Sequence, residues 1–277
     1  MPTKSQITLF QLFFLSFSYV CSGLLLLRET SFLSLLVPLL SAFVYCALGY
    51  CFLAASPPFR EHDRWICFLS CGKPHLAAKI FAELLALLGA AELVLSWLAL
   101  SSSVWSFSEF LPIALVAALL LPLAIFFSAH GLTAVGRFSE LTVFLILPLF
   151  FWIVFFDFAE VDFRAFSENL HVLFVVLPSP VLYMFSMTER ESTAMPKTVG
   201  KIAVPLTAYG GVAAAVLCAF LFRLYGAGEQ NLFLLLFAWT TGIVRLSLLV
   251  CVCTANRSGG SVSRLCEQTE RASAEES

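Results

Sequence analysis

Glu83, Glu92 and Arg245 lie inside stretches otherwise apolar enough to cross a bilayer, where an ionisable group is costly and marks a functional site by default. Their spacing limits what they can do together. The two glutamates are nine residues apart, and at about 100° per residue a helix turns them to nearly opposite faces, so they do not share a site. Counted at about 1.5 Å per residue from the cytoplasmic boundary, Glu83 and Arg245 reach similar depths of roughly 10 and 12 Å, which allows an ion pair between them. The alternative is local, with Glu83 pairing to Lys79 one turn earlier and Arg245 snorkelling to the interface alone. Glu92, placed nearer the outer side without a local cation, needs another partner and is the candidate carboxylate for a proton, a cation or a substrate amine.

Residues 171–188, HVLFVVLPSPVLYMFSMT, set Pro178, Ser179 and Pro180 at the centre of an apolar run. Each proline lacks an N–H and collides with the carbonyl four residues back, so the sequence predicts a broken sixth span. Free backbone groups at that depth persist only where other helices or a water-lined cavity satisfy them, and such discontinuous helices build the sites of many secondary transporters. Span one carries Ser16, Ser18, Ser22 and Gly23, and its Cys21-Ser22-Gly23 trio is a place for the helix to loosen or a neighbour to approach closely. If both segments are interrupted, half-helix N-termini present N–H groups to a carboxylate and unwound carbonyls face an ammonium group, an arrangement suited to a zwitterion. Ser18, Ser22, Ser179 and Tyr183 are the side chains placed nearest the ligand, with Ser186 further towards the cytoplasm.

The elements that position these residues are read from composition. The chain is 60% hydrophobic and 12% charged, with 29 phenylalanines among 277 residues, a balance that excludes an ordinary soluble domain. Apolar windows of about 17–25 residues fall near 7–27, 32–54, 76–99, 109–129, 139–156, 170–187, 203–225 and 231–253, giving eight predicted spans in an all-α polytopic bundle. With the N-terminus in the cytoplasm, twelve of the sixteen lysines and arginines fall on the cytoplasmic side and three outside, which follows the positive-inside rule and puts both termini in the cytoplasm. The domain is therefore 1–253, followed by a polar, Ser/Glu-rich tail at 254–277 expected to be disordered.

Residues 55–75 read either as a short interfacial helix or as a solvated connector. The acidic outer loop at 157–169 reads better as a solvated loop than as a cation-attracting vestibule. The cysteines fall mainly in spans or on the reducing side and read as buried thiols. Neither Cys67 with Cys71 nor Cys251 with Cys253 has the second pair or spaced histidine of a metal site. No GxSxG or HExxH motif is present, so no catalytic residue, cofactor or metal is assigned, and nothing points to nucleic acid.

The order of features resembles the amino acid/polyamine/organocation permease superfamily, and within it the spore-germination permeases, the membrane B subunits of nutrient germinant receptors. The resemblance rests on ITLFQLFFLSFSYVCSG at the start, GLTAVGRFSELTVFLILPLFF at 131–151, and YMFSMTERESTAMPKTVGKIAVPLTAYG at 183–210. It implies an inverted-repeat permease fold with broken spans one and six and a ligand site between spans one, three, six and eight. By the resemblance Ser22, Gly23, Pro178, Ser179 and Tyr183 would line the ligand region, which Pro180 joins as part of the same break, and Arg137 and Glu140 the cytoplasmic entry of span five. The family has ten spans, so eight would leave out the last two helices. The function implied is binding, with or without transport, of a small amino-acid-like nutrient in germinant sensing, beside other receptor subunits, in the plasma or spore inner membrane. The alternative is a non-transporting scaffold or assembly subunit with a vestigial pocket.

Overall fold

The chain is described by a computed structural model over residues 6–26, 32–55, 64–71, 76–107, 113–156, 175–188, 197–225, 237 and 239–255. The acidic outer loop and all but the first two residues of the polar tail lie outside these residues. The helices are α1 (Leu9–Leu26), α2 (Phe32–Ala55), α3 (Arg64–Leu69), α4 (Leu76–Phe107), α5 (Ile113–Ala129), α6 (Leu132–Phe156), α7 (Pro178–Met187), α8 (Lys197–Tyr225) and α9 (Trp239–Ala255). Every predicted span thus contains a helix, and α3 falls within the 55–75 connector. Among the described residues three helices, in α2, α4 and α8, are long and apolar enough to cross a membrane, and the bent pair α5–α6 would make a fourth.

The start of α1 shows how sequence sets a boundary. Thr8 Oγ1 accepts from the Gln11 N–H at 3.2 Å while Gln11 Oε1 accepts from the Thr8 N–H at 3.2 Å. This reciprocal capping box satisfies two donors that a helix start otherwise leaves bare. The same end is tied to α7, since the Ile7 N–H donates to the Met187 carbonyl at 3.0 Å, and to α6, where Thr133 Oγ1 donates to the Gln6 carbonyl at 3.1 Å. At the end of α2, Lys201 Nζ donates to the Ala54 carbonyl at 3.1 Å, placing a cation where the helix dipole is negative.

Several boundaries differ from the sequence reading, α8 for one beginning at Lys197 instead of 203. α6 begins at Leu132 instead of near 139, so LTAVGRFSE is helical and the connection from α5 is only His130 and Gly131. Gly131 has φ +87 with open space around it, the left-handed conformation that lets two helices meet at 118°. Hydropathy alone missed this because the first turns of α6 are amphipathic, with Arg137 exposed and Leu132, Val135 and Ser139 buried. α4 also runs on to Phe107, eight residues past its predicted end.

α1 packs most extensively on α8, and α2 also lies against α8. The approach is close at Gly211, where an added Cβ would lie 2.5 Å from the Phe13 carbonyl oxygen. Two apolar cores result: a large one drawing on α1, α2, α7 and α8 with residues of α3, α4, α6 and α9, and a smaller one of Leu100, Leu120, Ala124, Ile243 and Leu246 from α4, α5 and α9. Arg245 lies on the seam, between Val244 of the first and Leu246 of the second. The thiols divide, with Cys21, Cys46, Cys218 and Cys251 buried but Cys51 and Cys71 exposed.

Candidate functional site

α4 buries a stripe of Ala78, Ala82, Leu85, Gly89, Glu92 and Ser96, three or four residues apart, which is one face of a helix. Glu92 is therefore on the packed face. Glu83 is on the opposite, exposed face, with Ile80, Leu84 and Leu87, and the predicted Glu83–Arg245 pair does not form. Arg245 Nη2 instead donates to Glu92 Oε1 at 2.7 Å, with both side chains buried. The depth count failed because it took both helices to start from one plane and ended α4 too early. Glu92 is the seventeenth of thirty-two residues, the middle of α4 and not its outer end. The local alternative does not form either: Lys79 and Glu83 make no ion pair with each other among the described residues and line a shallow outward-facing groove.

Arg245 gathers further acceptors. Its Nε donates to Ser96 Oγ at 3.0 Å, and its Nη1 donates to the Tyr19 carbonyl at 2.8 Å and the Val175 carbonyl at 3.1 Å. The guanidinium carbon also stands 4.4 Å from the centre of the Tyr19 ring, a cation–π distance. Tyr19 completes the cluster: its hydroxyl donates to Glu92 Oε1 at 2.5 Å and accepts the Leu177 N–H at 3.2 Å. Residues from α1, α4, α9 and the segment before α7 thus meet at one buried point.

That meeting explains how the chain tolerates non-helical backbone here. Residues 175–177 are not helical; Arg245 satisfies the carbonyl of Val175 and the Tyr19 hydroxyl satisfies the N–H of Leu177, as free backbone groups at membrane depth require. Leu177 is extended, φ −113 and ψ 157, and α7 starts at Pro178. Among the described residues the Pro-Ser-Pro therefore opens α7. A residue before proline is pushed out of the α region, and proline suits the first helical position because the donor it lacks would be unpaired there anyway. Residues 171–174, which the predicted span six also includes, lie outside the described residues.

The predicted break in span one does not occur, and α1 is continuous through Cys21, Ser22 and Gly23. None of these lacks an N–H, and a lone glycine in a helix costs only about 1 kcal/mol. Gly23 serves the other purpose read for it, close approach. A Cβ there would overlap Arg245 Nη1 and lie 3.1 Å from Val175 Cγ1. A helical Cβ leans towards the preceding turn, so only glycine four residues after Tyr19 leaves the Tyr19 carbonyl open to the guanidinium.

Of the other predicted ligand residues, Ser179 and Pro180 are buried and Pro178 partly so. Ser179 Oγ lies 3.7 Å from the Cβ position of Gly89, one turn before Glu92 on the same face of α4. Ser18 is drawn elsewhere: Ser139 Oγ donates to the Phe14 carbonyl at 2.7 Å, so Ser18 donates to Ser139 at 2.8 Å and fastens α1 to α6. Tyr183 lies a turn past Ser179 and packs edge-on against Trp65 of α3, ring centres 5.6 Å apart, and Ser186 donates to its carbonyl at 2.7 Å. Tyr19 and Ser96 were missed by the sequence reading. The signals for them were a tyrosine at mid-span, whose hydroxyl needs a buried partner, and a serine one turn beyond Glu92.

Three buried polar atoms around this region have no partner among the described residues: Glu92 Oε2, Ser179 Oγ and Ser22 Oγ, the last one turn beyond both Ser18 and Tyr19. Tyr19→Phe would add to them by leaving the Leu177 N–H and Glu92 Oε1 without the hydroxyl. Its expected cost is about 1–3 kcal/mol, read as a lower denaturation midpoint of purified protein in SDS titration.

Together these features define an all-helical protein whose long apolar helices suit a membrane and whose charged hub is enclosed by them. Compared with protein-family models, curated proteins and solved structures, the chain matches none.

Proposed function

We propose that this chain is a permease-like membrane protein of germination type that binds a small amino-acid-like solute where α1, α4, α7 and α9 meet. The observation that carries the reading is the non-helical segment 175–177 ahead of α7, held by Arg245 and Tyr19 beside unpartnered Glu92 Oε2 and Ser179 Oγ. Buried polar atoms are normally paired, so atoms without protein partners at a discontinuous helix indicate a place for a solute. In this reading the fold is a permease inverted repeat with eight spans and both termini in the cytoplasm. The protein resides in the plasma or spore inner membrane beside other germinant-receptor subunits, and its action is not enzymatic.

A second reading, a scaffold or assembly subunit with a vestigial pocket, has its own support. Arg245 and Glu92 neutralise each other, and a closed pair of this kind can act only to fix the helix arrangement. Thermal unfolding of protein in nanodiscs across an amino-acid panel separates the two. A binding solute at a hundred times its Kd stabilises by about 2.7 kcal/mol, and Ser179→Leu abolishes the shift without lowering the ligand-free midpoint comparably. No shift with any solute, or an undiminished shift in Ser179→Leu, sinks the binding reading.

A further inference from the structure

The site offers acceptors and few donors. Pro178 and Pro180 open α7 and carry no N–H, so in the stretch 178–180 only Ser179 has a backbone donor. The carboxylate cradle that a half-helix N-terminus ordinarily provides is thereby mostly removed. Among the described residues the guanidinium at this site is that of Arg245, which is committed to Ser96, Tyr19, Val175 and Glu92. What remains is Glu92 Oε2, which when ionised can only accept, and the hydroxyls of Ser179 and Ser22, which accept as well as they donate. All three side chains are at least nine-tenths buried, at 2%, 0% and 0% exposure. A solute carboxylate placed here would meet the Glu92 carboxylate with little to compensate it, whereas an ammonium group brings three N–H donors.

We infer that the site recognises the ammonium group of its solute through Glu92 Oε2 and Ser179 Oγ, and takes primary amines whether or not they carry a carboxylate. The inference rests on the solute-binding reading above and narrows its ligand from a zwitterion to an amine. Arg245 is then a positioning residue: by occupying Oε1 it fixes the carboxylate so that Oε2 faces the solute.

The test uses the full chain in nanodiscs and three sets of probes sharing the same side chains: free amino acids, amino-acid amides, which keep the amine and lose the carboxylate, and N-acetyl amino acids, which do the reverse. Amides are expected to raise the unfolding temperature as much as the parent amino acids do, and N-acetyl compounds not at all. Glu92→Gln keeps a partner for Arg245 and Tyr19 but loses the charge, and should weaken amide binding about tenfold or more. Ser179→Ala, which disturbs no ion pair, should weaken it in the same direction if Glu92→Gln fails to fold. Stabilisation by free amino acids but not by amides, or by N-acetyl compounds, overturns the inference while leaving solute binding standing. Stabilisation by none of the three sets overturns both.

Discussion

Arg245→Ala should destabilise the protein by about 3–5 kcal/mol, the loss found when one partner of a buried ion pair is removed and the other charge is left behind. Glu92 sits at the middle of α4 with one oxygen already unpartnered, so removing Arg245 leaves a buried carboxylate whose remaining protein partner is the Tyr19 hydroxyl. The same change bares the Val175 carbonyl ahead of α7. The paired substitution Glu92→Leu with Arg245→Leu removes both charges and should cost less than Arg245→Ala alone, because apolar residues often replace a buried pair at little loss. SDS-titration midpoints of the three proteins decide it. A double variant as unstable as the single would mean that the backbone contacts of Arg245, and not its charge pairing, dominate.

Gly23→Ala is the second large effect, and its sign runs against helix propensity. In an exposed helix the change would gain about 1 kcal/mol. Here the new Cβ overlaps Arg245 Nη1 and approaches Val175 Cγ1 at 3.1 Å, while hydrogen bonds to four acceptor groups hold the guanidinium in place. The expected outcome is a net loss of about 1–3 kcal/mol, the usual cost of forcing atoms into a packed site. The loss should shrink in the Glu92→Leu/Arg245→Leu background, where no guanidinium reaches α1 and only the Val175 contact remains, since residues in contact give non-additive effects. Equal losses in both backgrounds would show that Gly23 is needed for something other than Arg245.

The helices themselves were legible because apolar runs long enough to span a bilayer are a one-dimensional property. The capping box of α1, Thr8-x-x-Gln11, carries a local signature that a reading by hydropathy windows passes over. The start of α6 was not legible, because its first turns mix Arg137 with buried Leu132 and Val135, and a hydropathy window averages such turns away. Pro178 and Pro180, at the centre of their apolar run, open α7 after the non-helical residues 175–177. Proline marks where a helix ladder is incomplete, and both an interruption and a first turn satisfy that condition.

Which charges meet was decided only in three dimensions. The sequence determined that Glu83 and Glu92 lie on opposite faces of one helix and that Arg245 lies deep in another. It even marked the packed face, since Ala78, Ala82, Gly89 and Ser96 share a stripe with Glu92, and small residues let helices approach. It did not determine how far α4 extends or at what level α9 stands beside it, because those follow from side-chain packing among α4, α5 and α9. The tertiary structure put Glu92, Tyr19 and Arg245 within hydrogen-bonding reach and spread Arg245 over carbonyls from α1 and the segment before α7. The physical reason is that a buried charge and bare backbone each need partners that their own helices cannot supply, so the groups left unsatisfied along the chain are brought together where the helices cross.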